Sequence, residues 1–274
     1  MRWFETDGVV LRYAVRHGKG PYLVLVHEMG GSIESWDRVL THLPPEQGVV
    51  LPEMRGMGQS QKIRETSSFG QIAADVAALL DHLEIADPVV ISGCAIGGAV
   101  ALRFALDHPA RCLAVAPLDP ALNVAEGGEA GILALADQME AKGMTPMEPI
   151  LLDRTYPERY RRRHPGHFAE VRGRWYANDP VSFAHFFRML AASDLRPELA
   201  RMRCPVWYGS GLHDLLRPPG YVRDLAARTP GAQVRDLDAG HHVADHAPQE
   251  VAQMLSELVT SVRRQSEPTV LPHG

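Results

Sequence analysis

The chain has 274 residues, of which 45% are hydrophobic and 22% charged, with a formal net charge of -5. That balance excludes disordered and fibrous classes and gives no electrostatic reason to expect nucleic acid as a partner. The opening Met1 to Asp7 lacks the apolar core of a signal peptide, and no apolar run reaches the ~18 residues of a membrane span, so a cytoplasmic location is expected.

The length suits one large α/β domain, and no composition shift demands a second core. Residues 2–5 and 9–16 alternate around a turn at Asp7-Gly8 and read as a hairpin. Three short apolar runs follow, Tyr22 to His27, Val49 to Pro52 and Pro88 to Ser92, each ending in a glycine-bearing turn. Between the second and third, Ile72, Val76, Leu79, Leu80 and Leu83 recur at helical spacing. After the third, Ile96 to His108 is a Gly- and Ala-rich helix able to approach a sheet closely. Strands alternating with helices imply a mostly parallel central sheet flanked by helices.

Residues 121–200 show helical patches and no clear strand, and are expected to form a helical cap inserted into a core of residues 1–120 and 201–264. Two late strands are expected at Pro205 to Ser210 and Gln233 to Leu237, then a helix from Pro248 to Val262, then a flexible tail over 265–274. Cys94, Cys112 and Cys204 are odd in number and form no C-x-x-C pair, so neither a disulfide framework nor a zinc site is suggested. Cys112 and Cys204 read as core packing.

Chemistry concentrates in Ser92-Gly93-Cys94-Ala95-Ile96-Gly97-Gly98, a strand, tight turn and helix start that matches G-x-S-x-G-G except at Ala95. The turn presents Ala95 at the helix start, where the Ile96 N–H can point at an anion. Four further segments stand in order around it: His27-Glu28-Met29-Gly30-Gly31-Ser32 followed by Trp36, Glu53 to Ser60, Pro205 to Asp214, and Ala239-Gly240-His241. A dinucleotide fingerprint would follow the first strand of its βαβ unit, which the glycines at 93–98 do not, and no phosphate-loop lysine appears.

From Leu11 to Leu258 the chain resembles the α/β-hydrolase fold superfamily, in its 3-oxoadipate enol-lactonase-like group, with alanine at the nucleophile-elbow position. The resemblance implies Asp214 as triad acid, His241 as general base, and Met29 and Ile96 N–H groups as the oxyanion hole. Cys94 is a thiol next to the vacant role, but the elbow projects only its central residue into the site. His27 is expected to orient the oxyanion loop, and His213 and His242 to be bystanders. Glu28 stands where glycine is usual and is a candidate second acid or base. Glu28, Trp36 and the cap residue Arg154 are substrate-binding candidates; most of the cap arginines read as a solvated face, with one or two available for a substrate carboxylate.

Three readings follow from Ala95. A serine nucleophile has been replaced by alanine; or alanine is native and His241 with Asp214 activates water directly, as in the aminoacrylate hydrolase branch of the fold; or the cavity only binds a small molecule. The partner expected is a small molecule, with no nucleic acid, membrane, metal or cofactor implied, and a homodimer is left open.

Overall fold

The computed structural model describes residues 2–266. Eight strands form one sheet: β1 (Arg2–Thr6), β2 (Val9–Arg16), β3 (Lys19–Val26), β4 (Gln47–Pro52), β5 (Val89–Cys94), β6 (Cys112–Leu118), β7 (Trp207–Gly211) and β8 (Gln233–Leu237). Their spatial order is β1-β2-β4-β3-β5-β6-β7-β8. The β1–β2 and β2–β4 pairings are antiparallel and all the others parallel. This is the mostly parallel, helix-flanked α/β-hydrolase sheet expected from the alternation of runs and amphipathic segments.

The strand β6 was not anticipated from the sequence. Its run Leu113 to Leu118 contains Pro117 and follows the preceding helix after a single short turn, so neither alternation nor a turn cluster marks it. Every residue of β4 and β5 is buried, as in a parallel sheet covered on both faces. The two-residue period of β3 divides the packing: Val24 and Val26 face one core with Ile72, Val76 and Leu79, while Leu23 and Leu25 face the other with Leu255 and Leu258. The helix Phe69–His82 begins at Ser68, whose hydroxyl accepts from Gln71 N–H while the Gln71 side chain accepts from Ser68 N–H, satisfying exposed helix-start donors.

Between β6 and β7 the chain is helical, with its longer helices at Glu129–Lys142, Pro165–Tyr176 and Pro180–Ala191. The last described helix, Pro248–Ser266, is longer than expected and takes in the first two positions of the expected tail; the rest of that tail lies outside the described residues. Among the described residues no helix is long and apolar enough to cross a membrane.

Candidate active site

The elbow forms because β5 must turn into the helix Ile96–Asp107 at a single residue. Ala95 does so at φ 51°, ψ -113°, a conformation an alanine adopts only under tertiary constraint. Its N–H donates to Leu118 O (2.9 Å), and its carbonyl accepts from Gly98 N (3.1 Å) and Ala121 N (3.0 Å). The flanking glycines are required by close approach: a Cβ at Gly93 would lie 2.1 Å from Gly97 O, and one at Gly97 2.3 Å from Val26 O. These backbone contacts fix where the Ala95 methyl points.

That methyl opens on a cavity of about 170 Å³ whose lining includes Met29, Ile96 and His241, with Phe183 and Phe187 from the inserted helical segment. Met29 and Ile96 N–H donate to no acceptor among the described residues. The loop carrying Met29 is held by His27, which is fully buried; Met54 N–H donates to its Nε2 (3.0 Å), so Nδ1 carries the proton and donates to Glu28 O (2.7 Å).

The structure brings Asp214, from the loop after β7, to His241, from the loop after β8, with Asp214 Oδ2 2.6 Å from His241 Nδ1. Asp214 Oδ1 accepts from the N–H groups of Leu216 (2.7 Å) and Arg217 (3.0 Å). Burial opposes ionisation of Asp214, but the charge and hydrogen bond of His241, with those two amides, outweigh it and hold the carboxyl below its usual range. The result is an imidazole with Nδ1–H committed and Nε2 left as the acceptor.

Sequence reading missed Asp119, at the carboxyl end of β6 with φ 40°. It is fully buried, and both its oxygens lie 3.0 Å from Gly211 N. Burial, then the neighbouring Asp214 charge and hydrogen bond, push its pKa well up, so it serves Asp214 as a neutral acid. Asp119, Asp214 and His241 offer ligand atoms within 4.8 Å of one another. The acceptor sites there are already engaged by backbone amides and by each other. The signal that could have found Asp119 is its place at a parallel strand's carboxyl end, where open α/β sheets build their sites.

A folded-state pKa raised in this way means that the native state binds more protons than the unfolded chain above about pH 4, so Asp119 erodes stability as pH rises. Asp119→Asn keeps an acceptor for Gly211 and a donor for Asp214. Denaturant unfolding is expected to show the variant gaining on the parent between pH 4 and pH 8; a variant that instead falls further behind as pH rises would show Asp119 to be an ionised, paired carboxylate.

Glu28 lines the cavity as anticipated, but its carboxylate is turned into a pairing of its own: Ser35 Oγ donates to Oε1 (2.8 Å) and His242 Nδ1 lies 3.6 Å from the same oxygen. His242, expected to be a bystander, also lines the cavity. Trp36 is a correction. It closes the short turn Ile33–Trp36, is 1% exposed, and packs in the core on the face of Leu23 and Leu25, away from the cavity. An apolar ring following the oxyanion loop found more buried area under the sheet than over the site.

Cys94 lies beneath the site with Sγ 3.4 Å from His241 O. Burial, then the Glu28 carboxylate, push its thiol well up, which keeps it protonated and unreactive. His213 binds Asp238 at 2.8 Å near the surface. Cys112 is buried, with Sγ 3.9 Å from that of half-buried Cys204.

Most arginines of residues 150–190 are committed to carboxylates: Arg159 to Asp238, Arg161 to Asp153, Arg162 to Glu158, Arg172 to Glu148, and Arg188 to Asp137 and Glu140. Arg154 is not so engaged among the described residues, and it lines the cavity. So does Arg217, which sequence reading passed over. Its Nη1 donates to Leu216 O and its Nη2 to Asn123 O, while its buried Nε–H has no partner among the described residues.

A sequence model of the alpha/beta hydrolase fold matches residues 21–130. The chain is 28% identical over 250 residues to the magnesium-chelatase 30 kDa subunit of Rhodobacter capsulatus, covering 86% of each protein. It is 24% identical to 3-oxoadipate enol-lactonase 2 of Acinetobacter baylyi, over 85% of this chain and 86% of that one. The solved enol-lactonase from Burkholderia xenovorans LB400 superposes with a TM-score of 0.88 at 25% identity, covering 94% of this chain and all of the other. On the sheet order, the elbow and these likenesses together, the chain has the α/β-hydrolase fold and is similar to enol-lactonases over most of its length.

Proposed function

We propose that the protein hydrolyses a small, carboxylate-bearing ester, lactone, amide or enamine by direct attack of water. The carrying observation is the pairing of an inert elbow with an intact base: Ala95 offers only a methyl, while His241 is oriented by Asp214 at 2.6 Å. His241 Nε2 takes a proton from a water seated over Ala95. The oxyanion that forms is received by the Met29 and Ile96 N–H groups, each such donor being worth about 3–4 kcal/mol in the transition state of a serine enzyme. Residues 121–200 serve as the cap that excludes bulk water and shapes the pocket. The enzyme works in the cytoplasm, on a small molecule, without a cofactor.

Arg154 and Arg217 recognise the substrate carboxylate. A lost charge-assisted hydrogen bond costs about 1.5–3 kcal/mol, or roughly 10- to 100-fold in binding. Arg154→Gln and Arg217→Gln are therefore expected to raise KM for a half-ester of a dicarboxylic acid by at least tenfold while leaving KM for the matching uncharged diester in place. Steady-state kinetics with both esters is the check, and an unchanged KM for the anion in both variants rejects the carboxylate clamp.

A further inference from the structure

The cavity wall carries a second imidazole that the water-attack reading does not use. His242 follows His241 directly, and the two rings stand 5.8 Å apart at 80°. Its Nδ1 faces Glu28 Oε1 at 3.6 Å, and its ring lies against Tyr156 with centroids 4.6 Å apart. Its Nε2 has no hydrogen-bond partner among the described residues, and the side chain is only 12% exposed. Glu28 is in turn fixed by Ser35. The arrangement is a looser counterpart of the His241–Asp214 pair: a carboxylate faces one ring nitrogen at ion-pair distance, 3.6 Å against 2.6 Å, and favours the protonated ring rather than the neutral one.

Chemistry gives this second pair a task. In a serine hydrolase one histidine takes the nucleophile's proton and hands it to the leaving atom as the tetrahedral intermediate collapses, because the nucleophile and the leaving atom both lie within reach of its Nε2. With water attacking directly, an oxyanion intermediate again separates bond formation from leaving-group departure, and each step moves a proton at its own position. His241, tethered through Nδ1 to Asp214, is committed to the side from which water arrives. Departure of a basic leaving atom then calls for a proton from elsewhere.

We propose that His242, held by Glu28, is the general acid that protonates the leaving atom while His241 deprotonates the attacking water. Water's oxygen forms a bond to the acyl carbon as one of its protons passes to His241 Nε2, and the carbonyl π pair moves onto the oxyanion. As that pair returns, the bond from carbon to the leaving atom breaks and its electrons take the Nε2 proton of His242, which enters the cycle as the imidazolium with its Nδ1–H toward the Glu28 carboxylate and leaves it neutral. The acid product keeps water's other proton. The starting protonation is restored when His241 gives its proton to solvent and His242 recovers one.

Recovery has a route. Behind Glu28 and His242 lies a chamber of about 20 Å³, bounded also by Ser35, Tyr156, Arg174 and Asp245, with room for roughly one water. Asp245 Oδ1 binds His167 Nε2 at 2.6 Å, and the His167 side chain is one-quarter exposed. Burial disfavours the Glu28 anion, yet the hydrogen bond and charge of His242 hold its carboxyl down at about 2, so Glu28 acts as a fixed anion. The other titratable groups around His242 are His241, Tyr156, Asp245 and His246, whose ring centroid is 6.3 Å away.

The inference rests on the water-attack reading and is tested by leaving-group dependence. Half-esters of adipic acid with 4-nitrophenol and with methanol differ in how much their leaving oxygen needs a proton. His242→Gln is expected to slow the methyl ester about 10²-fold more than the nitrophenyl ester, and Glu28→Gln is expected to shift the ratio in the same direction. Equal losses on both esters, or none, overturn the proposal. Retained turnover in His241→Ala would instead overturn the underlying reading, leaving-group ratio or not. A substrate-free arm uses ¹⁵N NMR of histidine-labelled protein: the His242 ring ¹⁵N shifts at fixed pH are expected to change in Glu28→Gln, and unmoved shifts reject the pairing.

Discussion

Replacing His241 by alanine is expected to lower kcat by about 10²- to 10⁴-fold on any ester the parent turns over, the range that a positioned general base supplies. The effect should be on kcat rather than on KM, because the imidazole acts on water and not on the ground-state substrate. His241 is buried, with 8% exposure, and its truncation strands the Asp214 carboxylate, so thermal melting is expected to fall and the kinetic comparison is made at a temperature where circular dichroism shows both proteins folded. Steady-state kinetics with the nitrophenyl half-ester makes the comparison. A variant that keeps a third or more of the parent's turnover removes His241 from the mechanism. A parent with no turnover, but with saturable binding of the half-ester, would make the protein a binder built on a hydrolase fold.

Ala95→Ser carries the second large expectation. Under direct water attack the new hydroxyl occupies space used by the attacking water, and hydrolysis is expected to hold or decline. Loss of the serine from a working serine protease costs on the order of 10⁶-fold. A gain approaching that size on restoring serine, with covalent labelling by a fluorophosphonate probe, would identify Ala95 as the replacement of a lost nucleophile and reject water attack. The substitution itself is structurally mild, because the strained φ of 51° is already imposed by the glycines and by the Leu118 and Ala121 hydrogen bonds.

The features that were legible in the sequence are those whose physics is local. The elbow shows because a tight strand-to-helix turn needs Gly93, which must clear Gly97, and Gly97, which must clear the neighbouring strand β3, and Asp214 and His241 show because each follows a short strand in a recognisable loop. Strand β6 was hidden by Pro117 and by an apolar run without alternation, and Asp119 was hidden with it. Arg217 and His242 were invisible for another reason: their roles depend on where a loop from a different strand lands. The same holds for Trp36, whose neighbour on the chain is the oxyanion loop but whose neighbours in space are Leu23 and Leu25. The arginines of residues 150–190 needed the coordinates to separate Arg154 from the paired ones.

The methyl group at the elbow has a kinetic corollary. A hydrolase that builds an acyl-enzyme remembers the acid and forgets the leaving group, so different esters of one acid converge on a common deacylation rate and partition alike between water and added alcohol. A chain with Ala95 at that point has no such shared state. Its turnover should carry the identity of the leaving group through to the end, show no initial burst, and draw its product oxygen directly from solvent. Selectivity is then set with the leaving group still attached, with water itself a substrate that the floor of the pocket must seat.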